Sequence, residues 1–178
     1  MPILIISIIL IFLEDGKPIF YTQNRTGLNK RIFKITKLRT MKNNSEINGP
    51  QWAEANDKRI TKVGGILRKY RIDELPQLVS VIKGDLSLIG PRPERPEIDY
   101  FLMKKIDGYM KRYNVRPGLS GWAQVNYHYG ASEEDAKNKL GYDLYYIKNF
   151  SSLLDILIFF KTLKLVFNAK GSSPKNIK

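Results

Sequence analysis

The stretch "RKYRIDELPQLVSVIKGDLSLIGPRPERPE", residues 68–97, decides how this chain is read. It opens on two adjacent carboxylates, Asp73 and Glu74, set among Arg68, Arg71, Arg92 and Arg95. Asp is a favoured N-cap, Glu suits a first turn, and Pro76 fits where early helical N–H groups have no partner. This predicts a helix over "ELPQLVSVIK" capped by Asp73, after a shorter helix in "VGGILRKY". Capping accounts for the acids and the proline, but not for the density of arginines. A helix N-terminus and nearby guanidinium groups both favour charged carboxylates, so both acids are expected to be ionised at neutral pH. Ionised, they can ligate Mg²⁺ or act as a nucleophile in phosphoryl transfer. Neighbours on a helix point about 100° apart, so the two acids are expected to have different jobs. On spacing alone, capping and catalysis both stay open.

Downstream, "GDLSLIGPRPERP" is too punctuated by Gly and Pro for a long helix or a central strand, so it is expected to be a loop held by side chains. Upstream, residues 18–39 read as a hairpin. "PIFYTQ" and "IFKITKLRT" are rich in β-branched and aromatic residues, and "NRTGLNK" between them carries turn chemistry. Lys34, Lys37 and Arg39 cannot all share one face by strict alternation, which predicts a basic face with a local irregularity. "NNSEINGPQWAEANDKR" reads as a surface loop and "EIDYFLMKKI" as an amphipathic helix. "VRPGLSGWAQVNY" reads as an extended segment broken by turns. Ser132 with Asp135 is a capping box opening the next helix. The fold class expected is α+β, a mostly helical single domain with a small β-hairpin.

Composition narrows the function. The chain has 178 residues, 43% hydrophobic and 26% charged, enough for one folded unit with a sizeable core. With no cysteine and one histidine, thiolate metal sites and a structural zinc are excluded, so any metal is expected to be hard and oxygen-bound, as Mg²⁺ is. A net charge of +13 implies an anionic partner: nucleic acid, an anionic membrane surface, or a phosphorylated substrate.

The ends bear on that choice. "MPILIISIILIFL", residues 1–13, is apolar but shorter than the roughly 20 residues a spanning helix needs. It lacks the flanks of a signal peptide. A buried core helix and a membrane-associated helix both fit. Seven Lys or Arg and no acid lie between Arg25 and Lys42, the pattern of a surface facing anionic lipid on the cytoplasmic side. "SLLDILIFFKTLKLVF" is apolar nearly all round, a core element or an interfacial helix with its lysines at the headgroups. Residues 169–178 read as a flexible tail.

In order along nearly the whole chain, "QNRTGLNKRIFKITKLRTM", "LRKYRIDELPQL", "KGDLSLIGPRPE", "VRPGLSGWAQVNY" and "KLGYDLYYIKN" resemble the bacterial sugar transferase family, the monotopic phosphoglycosyl transferases. The resemblance implies transfer of a sugar-1-phosphate from a UDP-sugar to undecaprenyl phosphate with Mg²⁺, the first step in building a surface glycan. It implies Asp73 as the nucleophile and metal ligand, Glu74 as its catalytic partner, and Lys37, Arg68 and Arg92 as phosphate-binding groups. Arg116 is a further candidate for the nucleotide or phosphate, with a fixed turn salt bridge as the alternative.

The implied setting is the inner membrane, with residues 14–168 as the catalytic domain on the cytoplasmic face and homo-oligomerisation left open. Relatives usually begin with a longer apolar helix broken at Ser-Pro. Pro2 resembles that proline, so the entering half of a re-entrant helix is expected to be missing here. At His128 many relatives carry Arg, and a neutral His lacks that fixed cationic fork. The competing classes are a nucleic-acid-binding module, suggested by charge and ten tyrosines, and a noncatalytic basic membrane-surface protein. Neither uses the acid pair or the "GPRPE" loop, so no nucleic-acid partner is expected.

Overall fold

Glu14 and Asp15, which end the first apolar run, remain inside the first helix, α1 (Pro2–Asp15), and both act at its far end. Glu14 accepts the backbone N–H groups of Lys62 (2.7 Å) and Val63 (2.9 Å), two orphan donors at the start of α2 (Lys62–Lys69). Those hydrogen bonds hold its carboxylate below its ordinary pKa, against the opposing effect of burial. Asp15 pairs with Arg39 at 3.4 Å, and Arg39 also donates to the carbonyls of Asp15 and Gly16. One buried arginine thus closes the last turn of α1 onto the chain that follows the hairpin. The computed structural model describes residues 2–43, 45, 57–127 and 132–168. His128, most of the expected polar loop and the tail at 169–178 lie outside them.

The hairpin forms as expected from β1 (Phe20–Thr26) and β2 (Ile32–Leu38), antiparallel from Phe20 opposite Leu38 to Thr26 opposite Ile32. Its register is continuous, so the expected irregularity is corrected: Lys34 and Lys37, an odd number of positions apart, point to opposite faces. Phe33, Ile35 and Lys37 share one face, where Phe33 and Ile35 pack on Leu86. A 3₁₀ turn, Ile72–Gln77, lies against β2 and runs into the short helix α3 (Leu78–Ile82). Leu38, on the opposite parity, joins Ile11 of α1 and Leu67 of α2 in a second cluster.

Two short strands, β3 (Ser87–Ile89) and β4 (Gly118–Ser120), pair in parallel. The approach is so close that a Cβ on Gly118 would strike the Gly90 backbone. Around this pair lie α4 (Pro96–Lys105), α5 (Trp122–Asn126), α6 (Glu133–Lys148) and α7 (Ser152–Phe167). A 3₁₀ turn over Tyr109–Asn114 packs with α4 and α6 around Leu102, Ile106 and Leu140. The segment expected to be extended after β4 is corrected by α5, whose Trp122 and Val125 pack on Ile89, Tyr146 and Ile158. The capping box of Ser132 and Asp135 is present as expected. The chain is mostly helical with a small antiparallel sheet, in keeping with the expected α+β class.

The outer helices are not enclosed. In α1 only Ser7 and Ile11 are buried, while Ile3, Ile6, Ile9, Phe12 and Leu13 are exposed. In α7 only Ile158 is buried, while Leu153, Ile156, Phe160 and Phe167 are exposed. Among the described residues no helix is long and apolar enough to cross a membrane.

Gly64 and Gly65 separate packing from helix propensity. A Cβ on Gly64 would collide with the backbone of Thr40, whereas one on Gly65 meets nothing within 4 Å. Gly64→Ala is expected to lower unfolding free energy by about 1–3 kcal/mol through overpacking. Gly65→Ala is expected to raise it by about 0.5–1 kcal/mol, both read by urea denaturation.

Candidate active site

Three elements bring cations to Glu74. Lys37 comes from β2, Arg92 from the loop after β3, and Arg71 from the residue that opens the 3₁₀ turn. Lys37 Nζ donates to Glu74 Oε1 at 3.0 Å, Arg92 Nη2 donates to the same oxygen, and Arg71 lies 3.9 Å from Oε2. Burial alone would raise the Glu74 pKa. The three cations overcome it, Arg92 foremost, and hold the carboxyl well below its ordinary range. Burial also draws the Lys37 ammonium below the usual lysine range, against the pull of Glu74.

Asp73 is in a different state, and two expectations about it are corrected. It is not the N-cap. Arg71 occupies that position in a left-handed conformation (φ 54°), and Asp73 sits inside the 3₁₀ turn. Nor is its carboxyl held low: burial first, and the charge of Glu74 second, raise its pKa above the ordinary value, with Lys37, Arg68 and Arg92 opposing. Among the described residues the Asp73 side chain accepts no hydrogen bond and forms no ion pair, although it is only 8% exposed. The neighbouring acids therefore differ as a held anion and an uncommitted one.

Of the sequence-predicted residues, Lys37 and Arg92 meet Glu74 directly, and Asp73 lies beside them, reached by their charges. Arg68 joins at one remove: its Nε donates to Thr40 Oγ1 at 2.8 Å, and its charge reaches Asp73. Arg116 does not join. It is exposed and lines a cavity of about 310 Å³ with Leu28, Asn114 and Phe150. Leu28 lies beyond the hairpin tip, and the strand from Ile32 to Lys37 alone spans roughly 17 Å at 3.3 Å per residue. The alternative reading of Arg116 as a turn salt bridge has no partner among the described residues.

Arg71, Arg25 and Arg112 were not singled out as site residues by sequence. Only the density of basic residues hinted at them: Arg25 and Arg112 act through contacts distant in sequence, whereas Arg71 reaches Glu74 three residues on. Arg25 binds the loop after β3 through Pro93 O (3.1 Å) and Glu94 Oε1 (3.0 Å), and Arg112 binds Arg92 O (2.7 Å).

The pH dependence of the Glu74 cluster has a definite sign. Glu74 has a depressed pKa in the folded state, so its stabilising effect is full above the ordinary glutamate value. It is lost as pH falls through the folded value. Glu74→Gln also leaves three cations without their shared anion. It is expected to cost about 3 kcal/mol at pH 7 in urea denaturation, shrinking as the wild type is acidified. A penalty unchanged down to pH 3 would contradict this.

Comparison with known proteins identifies the family. A family model described as bacterial sugar transferase matches residues 1–169. The chain is 49% identical over 172 residues to an Aeromonas hydrophila UDP-N-acetylgalactosamine-undecaprenyl-phosphate N-acetylgalactosaminephosphotransferase, covering 96% of this chain and 40% of that protein. It is 41% identical over 166 residues to a Caulobacter vibrioides UDP-glucose:undecaprenyl-phosphate glucose-1-phosphate transferase, covering 91% of this chain and 61% of the relative. It is 38% identical over 174 residues to an uncharacterized sugar transferase of Bacillus subtilis, covering 98% and 82%. The chain thus spans less than half of the Aeromonas protein and most of the Bacillus one. With the family match running from its first helix to the end of its last, the chain belongs to the bacterial sugar transferase family.

Proposed function

We propose that this chain transfers a sugar-1-phosphate from a UDP-sugar to undecaprenyl phosphate by two displacements on Asp73. The observation that carries this is the division between the acids: Glu74 is saturated by cations, while the buried Asp73 carboxylate beside it has no partner among the described residues. In the first step an Asp73 oxygen bonds to the β-phosphorus, and the bond from that phosphorus to the bridging oxygen breaks. UMP leaves with the electron pair. In the second, an oxygen of undecaprenyl phosphate bonds to the same phosphorus and the Asp73–phosphorus bond breaks, regenerating the carboxylate. The names of the Aeromonas and Caulobacter relatives, which give undecaprenyl phosphate as the acceptor, support the second substrate.

The surrounding side chains have assignable work. Lys37 and Arg92, which share one Glu74 oxygen, supply positive charge toward phosphoryl oxygens, and the Arg92 side chain is 38% exposed. Glu74 keeps both cations in place and, by its charge, keeps the proton affinity of Asp73 high. Arg68 supplies further positive charge toward Asp73.

Mg²⁺ fits this arrangement. Asp73 offers a buried carboxylate without a hydrogen bond among the described residues, and Mg²⁺ usually binds through one or two carboxylates plus substrate phosphates. Asp73 would hold the ion in this reading, and the ion would supply positive charge to the diphosphate.

The exposed apolar residues of α1 and α7 support a place on the inner membrane, at its surface with anionic lipids. A nucleotide sugar from the cytoplasm then meets a lipid phosphate without either crossing the bilayer.

A panel of UDP-sugars with Mg²⁺ tests the reading. Without acceptor, the wild type is expected to release about one UMP per active chain with the right sugar, then turn over when undecaprenyl phosphate is added, with ping-pong kinetics. Asp73→Asn is expected to release UMP at least about 1,000-fold more slowly. Equal release by both proteins would remove Asp73 as the nucleophile.

A further inference from the structure

The loop that carries Arg92 is held in an unusual way. Pro91 and Pro93 have no N–H to anchor it, yet each of the four consecutive carbonyls from Pro91 to Glu94 accepts a hydrogen bond. The donors come from three separated places: Gly118 N to Pro91 O (2.9 Å), Arg112 Nη2 to Arg92 O (2.7 Å), and, from the end of β1, Arg25 Nη1 to Pro93 O (3.1 Å) and Thr26 N to Glu94 O (3.0 Å). Two of the four are guanidinium groups, and each has its own carboxylate anchor. Arg25 pairs with Glu94 at 3.0 Å and Arg112 with Asp143 at 2.9 Å.

The Arg112 side is the more costly to build. Arg112 and Asp143 are 8% and 2% exposed, and two ions taken out of water need excellent geometry to offset their desolvation. Nε and Nη2 both bind Asp143 Oδ2, and Nη1 donates to the Tyr109 hydroxyl at 2.8 Å. That hydroxyl in turn donates to Asp99 at 3.0 Å. Nη2 also reaches the backbone carbonyl of the very residue whose side chain binds Glu74. That carbonyl gives a buried N–H its acceptor, so one bond serves both the ion pair and the loop.

Resting on the transferase reading above, we propose that Arg112, locked by Asp143, is a positioning residue for the reaction: it fixes the backbone of Arg92 so that its guanidinium stays on Glu74 and faces the phosphoryl group. Arg25 holds the next carbonyl from the hairpin side, so the loop is gripped from both flanks. Arg112 itself touches neither acid of the pair, and its effect passes through Arg92.

The paired replacement Arg112→Met with Asp143→Leu tests this. Exchanging a buried ion pair for apolar residues is often neutral or stabilising, so the fold is kept while the carbonyl loses its donor. Urea denaturation checks that. In the wild-type background the pair is expected to lower kcat/KM for UMP release by about 100-fold, the scale of a small misplacement of a reacting group. In an Arg92→Gln background the same pair is expected to add no further loss. Additive losses in the two backgrounds would overturn the proposal.

¹⁵N spectra of the Arg92 guanidinium give a readout independent of the reaction. Hindered rotation about its Nε–Cζ bond in the wild type is expected to become free in the paired variant, and rotation equally hindered in both would also overturn the proposal. Failure of the transferase reading looks different: wild type and Asp73→Asn release UMP equally, and the Arg92 spectrum still decides the positioning role.

Discussion

The Glu74 carboxylate is where this structure is tied together. It is buried, and a buried anion without partners is among the most costly features a domain can carry. Its partners come from β2, from the loop after β3 and from the turn that bears the acids. Satisfying Glu74 therefore fixes the hairpin, the loop and the turn relative to one another. It also fixes the environment of Asp73, whose carboxyl is left buried beside a neighbouring negative charge. In the proposed reaction the cations that neutralise Glu74 also serve the diphosphate, so one set of side chains meets the structural requirement and the chemical one.

How much of this was legible in the chain depended on how local the cause was. The hairpin was readable because β-branched alternation and turn residues lie within about twenty positions, and the Ser132–Asp135 box because its four residues contain their own hydrogen bonds. The Asp73 cap was not, because Arg71 adopts a left-handed conformation and the chain enters a 3₁₀ turn packed on β2. The helix at α5 was missed for a similar reason: Trp122 and Val125 are committed by packing on Ile89, Tyr146 and Ile158, whereas the glycines before them read as a turn. The basicity of Asp73 is set by burial, which no spacing reveals.

The site residues divide along the same line. Lys37, Arg92, Asp73 and Glu74 were named from the sequence with the help of the family resemblance, and the structure brings all four together. Arg116 was named the same way and lies elsewhere, at the cavity beside Leu28 and Phe150. Arg112 and Asp143, 31 positions apart, carried no local signal at all, and only the fold shows that they meet under the Arg92 carbonyl.

The central claim is that Asp73 carries the sugar phosphate between donor and acceptor. Rapid acid quench after mixing protein, UDP-sugar and Mg²⁺ without acceptor, followed by peptide mass spectrometry, tests it most directly. The expected result is a phosphosugar adduct on the peptide containing Asp73, labile to hydroxylamine as an acyl phosphate is, and discharged by undecaprenyl phosphate before the quench. UMP release without any adduct, or the same adduct in Asp73→Asn, would contradict the account.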